Sequence, residues 1–230
     1  MITINNEAKI VKEYFEKLEE IINNLVNENT ELNLEGLHQI KIVDNIENTS
    51  SDGRFENNAI ILPKNKMEEY IKNNDEAIIK STIYHELCHV DLNNRLPQLH
   101  NLSNKYKHEE NYIKFFTIMV YIEYIAHIMS LKYEGEEIIK RFLESINNRT
   151  WNFNDEISRV YFIKCVPYVL GRINKNFDYI NIVKSKDFKN HIVQAKEIIE
   201  RAVCNGAIDD YNKLVEVEDF VSKYISNNWI

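Results

Sequence analysis

The sequence predicts an α+β fold that is mostly helical. Glycine and proline, which interrupt helices, number only 5 and 3 in 230 residues. Long segments repeat apolar residues at helical spacing, whereas the candidate strands are few and short. The length suits one large domain, or a domain with a helical extension. We therefore expect a small sheet packed on two helices and followed by a helical extension.

Composition favours a globular protein of a reducing compartment. Hydrophobic residues make up 44% and charged residues 28%, and the net charge of -8 disfavours nonspecific binding to nucleic acid. The three cysteines are odd in number and far apart, so no disulfide framework is implied. The first residues lack the basic and apolar regions of a secretory signal. We expect a cytoplasmic protein with no direct nucleic-acid partner.

The first half of the chain is predicted to mix helices and short strands. Apolar spacing in residues 8–26 indicates an amphipathic helix. Alternation in residues 37–43 indicates a half-buried strand, and Pro63 ends another short strand. Further elements are a possible strand near 54–55, the strand at 59–62, a short helix at 67–73 and a helix from 75 to just before Pro97.

The second half is predicted to be helical. Residues 112–131 are apolar nearly all round, but Glu123 and His127 interrupt them, so we expect a buried helix and not a membrane span. His191 is expected to be solvated. The other helices are predicted at 136–147, at 156–175 with a kink at Pro167, at 185–203 ending near Gly206, and after Asp209 or Asp210. We predict a core domain at 1–134 and a helical subdomain at 135–230.

The stretch His85-Glu86-Leu87-Cys88-His89 carries the chemistry. Two histidines four residues apart on a helix project from one face, so their nitrogens can converge on one ion at about 2.0–2.1 Å. Glu86 lies about a quarter-turn round the helix, where it can take a proton from a water bound to that ion. Cys88 is expected to pack as a small apolar residue. The spacing therefore predicts a catalytic Zn2+ site.

A catalytic zinc ion usually has three protein ligands and a water. Glu123 is our candidate for the third, because a carboxylate in an apolar helix is costly unless it is paired or bound to a metal. His127 follows one turn later on the same face. It is a candidate for orienting a ligand, for replacing Glu123, or for a purely structural role. His100 and His108, in a segment expected to be a polar loop, are further candidates.

The HExxH pattern resembles zinc metallopeptidases. A glutamate on the following helix makes the chain similar to gluzincins, and Glu123-Tyr124-Ile125-Ala126 resembles the ImmA/IrrE-type and minimal gluzincin peptidases. The resemblance covers about residues 37–133 and implies His85, His89 and Glu123 as ligands and Glu86 as base. Cys88, where glycine is common, and the spacing after His89 depart from that pattern.

The resemblance implies a zinc-dependent endopeptidase. Its substrate would be a peptide or protein, with a regulatory protein of a bacterium or its mobile elements as one candidate. The strand at 59–62, or a strand beside it, is our candidate for receiving an extended peptide by strand addition. The alternative is a non-catalytic, metal-binding regulatory protein with the same fold, in which the helical second half contacts a partner. Oligomeric state and any need for an activator stay open.

Overall fold

The computed structural model describes residues 2–46, 52–204 and 208–226. Most of these residues are helical, and four short strands form one mixed sheet, which confirms the predicted α+β fold class. The chain clusters into two compact units. The first comprises residues 1–94 and 132–135, and the second comprises residues 95–131 and 136–230. The sequence had grouped 95–131 with the first of these.

The first unit contains the sheet. Its strands are β1 (Thr3–Asn6), β2 (Gln39–Val43), β3 (Arg54–Glu56) and β4 (Ala59–Pro63), in the order β1-β2-β4-β3. Strands β1, β2 and β4 are parallel, and β3 pairs antiparallel with β4. In β2, Ile40 and Ile42 are fully buried while their neighbours are partly exposed, so the predicted alternation is confirmed.

Two features of the sheet differ from the predictions. Strand β1 was not predicted, because its Thr-Ile-Asn-Asn sequence carries one apolar residue and no alternation. Strand β4 is interior, since β2 pairs along one side and β3 along the other. The strand beside it, β3, forms an edge of the described sheet and is the strand that an added peptide would meet.

Three helices complete most of the first unit: α1 (Lys12–Glu28), α2 (Lys64–Lys72) and α3 (Glu76–Arg95). The helix α1 begins four residues later than predicted. Ala8 donates its backbone N–H to Ile42, and the Asn6 side chain accepts from the N–H of Ile10, so this segment continues along β2 instead of coiling. The apolar face of α3 is buried at Ile79, Ile83, Leu87 and Val90.

The second unit has no strand in its described part. Its helices are α4 (Pro97–His108), α5 (Tyr112–Ser130), α6 (Glu136–Ser145), α7 (Glu156–Lys175), α8 (Lys186–Val203) and α9 (Val215–Ser222), with short 3-10 segments at 146–148, 177–182 and 211–214. The predicted starts of α7 and α8 are confirmed by their caps. Asp155 accepts from the N–H of Ser158, and Ser185 accepts from the N–H of Phe188.

The central helix of this unit is α5, against which α4, α7 and α9 pack. Among the described residues it alone has the length and apolar composition of a membrane span. Half of that apolar window is buried within the protein. Its buried residues include Phe116, Tyr121 and Tyr124.

Two predictions about the second unit are wrong, and one falls outside the described residues. Residues 97–108 form a helix and not a polar loop, because Pro97 occupies the first turn and Leu99 is buried beneath it. His191 is half-buried among aromatic rings, and its Nδ1 lies 2.6 Å from the hydroxyl of Tyr224. The predicted helix end near Gly206 lies outside the described residues.

A four-residue segment, Lys132–Gly135, returns the chain to the first unit directly after α5. The Lys132 Nζ donates to Asn29 Oδ1 at 2.6 Å, and Asn29 Nδ2 donates to the Tyr133 hydroxyl at 2.9 Å. Ser81 on α3 donates to Glu134 at 3.3 Å. We call residues 132–135 the return segment. Its side chains join the loop after α1 and the first half of α3.

Candidate metal centre

Helix α3 brings His85 and His89 together. They lie one turn apart, their Nε2 atoms are 3.0 Å apart, and their rings meet edge to face at 85°. Two ligands of a tetrahedral zinc ion at about 2.0–2.1 Å would have nitrogens roughly 3.4 Å apart. At 3.0 Å one ring can donate to the other, or with a small adjustment both can bind one cation. The predicted convergence of the two imidazoles is present in the first unit.

Glu86 is buried on α3, with 7% of its surface exposed. Gly53, the residue before β3, lies directly against it. A Cβ atom built on Gly53 would be 3.1 Å from Glu86 Cγ and 3.3 Å from its Oε1. The edge strand therefore begins beside this carboxylate. The sequence alone did not predict this contact, because nothing in the local pattern relates Gly53 to a residue of α3.

Other residues of α3 near the histidine pair have structural roles. Cys88 is fully buried, and burial raises the pKa of its thiol well above the usual range, so it packs as an apolar residue, as predicted. Asp91 is also fully buried and accepts from the backbone N–H of Asn33 at 2.7 Å. Asn94 donates to the carbonyls of Asn33 and Glu35. These contacts, which the sequence did not predict, fix the end of α3 to the loop before β2.

Helix α5 carries a second pair of donors, Glu123 and His127, within the second unit. They are one turn apart, and a carboxylate oxygen of Glu123 and a ring nitrogen of His127 lie within 4.8 Å of each other. His127 is buried and Glu123 is partly buried. The shared face predicted from their spacing is therefore present. Carboxylate and imidazole together form a donor set that a divalent cation accepts.

The remaining sequence candidates have other surroundings. His100 and His108 both lie on α4, where His100 Nε2 is 3.2 Å from Asn104 Nδ2, and burial lowers the pKa of His100. Three tyrosine hydroxyls that could contact a reaction intermediate also have other surroundings. Tyr121 accepts from the N–H of Ile208, Tyr124 is fully buried, and Tyr133 belongs to the return segment.

Comparison with known proteins does not assign the chain to a family. No protein-family model, no curated protein and no solved structure matches the chain. The resemblance to gluzincins therefore rests on the motif and on the two donor pairs described above.

Proposed function

We propose that the protein is a zinc-dependent endopeptidase. The observation that carries this proposal is the convergence of His85 and His89, whose Nε2 atoms are 3.0 Å apart, with the buried Glu86 between them in sequence. The proposed ligands are His85, His89 and Glu123, with His127 as the alternative to Glu123. Two imidazoles and a carboxylate are a common ligand set for catalytic zinc.

The donor chemistry fits a metal but does not by itself select zinc. Imidazole and carboxylate groups at His85, Glu123 and His127 suit a divalent ion, and other transition metals accept the same groups. Zinc is favoured by the HExxH spacing, which supplies two imidazoles from consecutive helical turns and a carboxylate that need not be a ligand.

Glu123 is supported as the third ligand by its setting. Helix α5 is apolar and packs within a helical core, where an ionised carboxylate requires a cation or strong hydrogen bonds. Chain connectivity adds support, because the return segment binds residues of the first unit immediately after α5 ends. One of those residues is Ser81, which precedes the histidine pair on α3.

Bound zinc would acidify a water molecule and polarise the scissile carbonyl. The catalytic steps assigned to this chain belong to Glu86. Its carboxylate, in the ionised form, accepts the proton of the attacking water and then donates it to the leaving amine. Burial beside Gly53 limits the positions that the carboxylate can occupy. A peptide added to the edge strand β3 would enter the site next to this base.

We further propose a peptide or protein substrate and a cytoplasmic location. All three cysteines are free, including the exposed Cys204, which suits a reducing compartment. A regulatory protein is the substrate that the resemblance to ImmA/IrrE-type peptidases favours. Digestion of a peptide library by the zinc-loaded protein tests directly whether peptides are substrates.

The deciding experiment compares zinc-loaded wild type with Glu86→Gln. We expect one zinc ion per chain in both proteins, and cleavage of library peptides by the wild type alone, because the amide cannot accept the proton. Glu137→Gln, which changes an exposed glutamate on α6, is the control and should cleave normally. Cleavage by metal-loaded Glu86→Gln would refute the mechanism. Zinc binding without any cleavage, together with a stable protein complex, would favour the non-catalytic alternative.

A further inference from the structure

Helix α7 lies close to α5 at His127. A Cβ atom built on Gly171 would lie 2.4 Å from His127 Cβ and 3.5 Å from its backbone carbonyl carbon. Non-bonded carbon atoms do not approach to 2.4 Å, so any side chain at this position would push the two helices apart. The absence of a side chain at Gly171 therefore determines how near α7 lies to the His127 backbone.

One turn earlier on α7, the ring of Tyr168 packs against the imidazole of His127. The ring centroids are 4.2 Å apart and the planes are tilted by 55°. Tyr168 also stacks on Phe142 of α6, and the Arg172 guanidinium lies 4.0 Å from the centre of the Phe142 ring. Arg172 in turn donates to the Tyr168 carbonyl at 3.3 Å. Groups from α6 and α7 thus form a layered stack that ends on the His127 ring.

This stack contacts a side chain for which the sequence left three possible roles. His127 shares its face of α5 with Glu123, and their donor atoms lie within 4.8 Å of each other. A histidine clamped in this way has fewer ring orientations available. If this position served only packing, an apolar side chain would fill it without the cost of burying a polar ring. The buried imidazole therefore points to a role beyond packing.

We propose that Tyr168 and Gly171 are positioning residues that hold the His127 imidazole on the Glu123 face of α5. This inference rests on the proposed function, because the role of His127 is to orient the Glu123 carboxylate for metal binding. The C-terminal helices then contribute to the affinity of the site without supplying a ligand. Substitution of residues that orient metal ligands typically lowers affinity by about 10- to 100-fold.

The test measures zinc affinity of the full chain by competition with a chelating dye. We expect Tyr168→Ala to weaken binding by about 10-fold. Tyr168→Phe, which keeps the ring that packs against His127, should bind within about 2-fold of wild type. Tyr168→Leu serves as a second ring deletion should the alanine variant fold poorly. In a His127→Ala background, Tyr168→Ala should change affinity by less than about 2-fold.

The glycine is tested in the same assay. Gly171→Ala should weaken zinc binding and alter the visible spectrum of the cobalt-substituted protein, because the spectrum reports ligand geometry. Gly135→Ala is the matched control, since a Cβ there meets nothing within 4 Å, and it should match wild type. Unchanged affinity in a folded Tyr168→Ala protein, or an equal loss with and without His127, would overturn the proposal.

A measurement on the metal-free protein separates this inference from the proposed function. The Tyr168 ring should shift the NMR signals of the His127 ring protons by its ring current. We expect these signals to move in Tyr168→Ala and to stay close to wild type in Tyr168→Phe. If the wild type binds no zinc, the peptidase proposal fails, and this NMR comparison still decides whether Tyr168 positions His127. Unmoved signals in Tyr168→Ala would overturn the positioning role.

Discussion

Glu123 is the residue on which the proposed ligand set depends most. Glu123 is partly buried on a mostly apolar helix, where a carboxylate is costly unless it is paired or bound to a metal. We predict that Glu123→Gln keeps the fold and lowers zinc affinity by about 100-fold or more, because one of three protein ligands loses its charge. Elemental analysis and dye competition measure the change.

The control for Glu123 is Glu197→Gln, an exposed glutamate on α8, which should leave zinc affinity unchanged. Wild-type affinity in Glu123→Gln would assign the third ligand elsewhere. His127→Gln is the variant to compare next, because that imidazole is the alternative donor on the same face.

His191 is a residue whose environment the sequence did not predict. The charged residues around it in the sequence suggested that His191 is exposed to solvent. In the structure, Phe153 and Phe162 pack against its ring and Tyr224 hydrogen-bonds to it. Burial lowers the pKa of His191, although Asp187 opposes this effect. Its contacts come from the loop before α7, from α7 and from the segment after α9, so no pattern within α8 indicates them.

Because the pKa of His191 is lowered in the folded state, the direction in which pH changes the stability can be predicted. Below about pH 6.5, the ordinary pKa of histidine, the unfolded chain binds a proton that folded His191 resists. The free energy of unfolding should therefore fall as the pH is lowered from about 7.5 through 6.5. In His191→Gln this slope should be shallower, whereas His38→Gln, an exposed change, should keep it. Urea unfolding at a series of pH values tests this, and equal slopes in wild type and His191→Gln would contradict it.

At the scale of elements, helices were predictable where apolar spacing is regular. The starts of α7 and α8 follow from single capping residues, Asp155 and Ser185. Helix α4 was missed because its surface is polar and only Leu99 is buried. Strand β1 was missed because hydrogen bonds from β2, and not its own composition, make it a strand. The position of β4 inside the sheet depends on pairing between strands, which residue patterns do not specify.

The start of β3 offers a test of the edge strand beside the proposed base. Gly53→Ala would place a methyl group 3.1 Å from Glu86 Cγ, so the carboxylate must shift by a few tenths of an ångström. We predict that kcat falls by about 10- to 100-fold, because small misplacements of a catalytic group are costly. Zinc content should remain one per chain, since no proposed ligand moves. Wild-type kcat in a folded Gly53→Ala protein would show that Glu86 has more freedom than proposed.

At the scale of the whole molecule, the chain crosses between its two units three times, near residues 94, 131 and 135. The sequence suggested one boundary, near residue 134, because Gly135 interrupts the helical pattern there. Clustering in space depends on which helices α5 packs against, and two of them, α7 and α9, follow it in the chain. The pattern of apolar residues along the chain does not show that residues 95–131 pack with helices that follow Gly135.

This organisation predicts the behaviour of fragments. In a fragment of residues 1–134, α5 would lose α7 and α9, which pack against it in the full chain. Phe116, Ile118 and Val120 are buried there, and exposing such side chains costs about 1.5–3 kcal/mol each. We predict that the fragment aggregates or loses much of its helical circular dichroism, and binds no zinc. Co-expression with residues 136–230 should restore a soluble complex, because the partner helices are returned. A soluble, zinc-binding 1–134 fragment would show instead that α5 and the histidine pair form a site without the C-terminal helices.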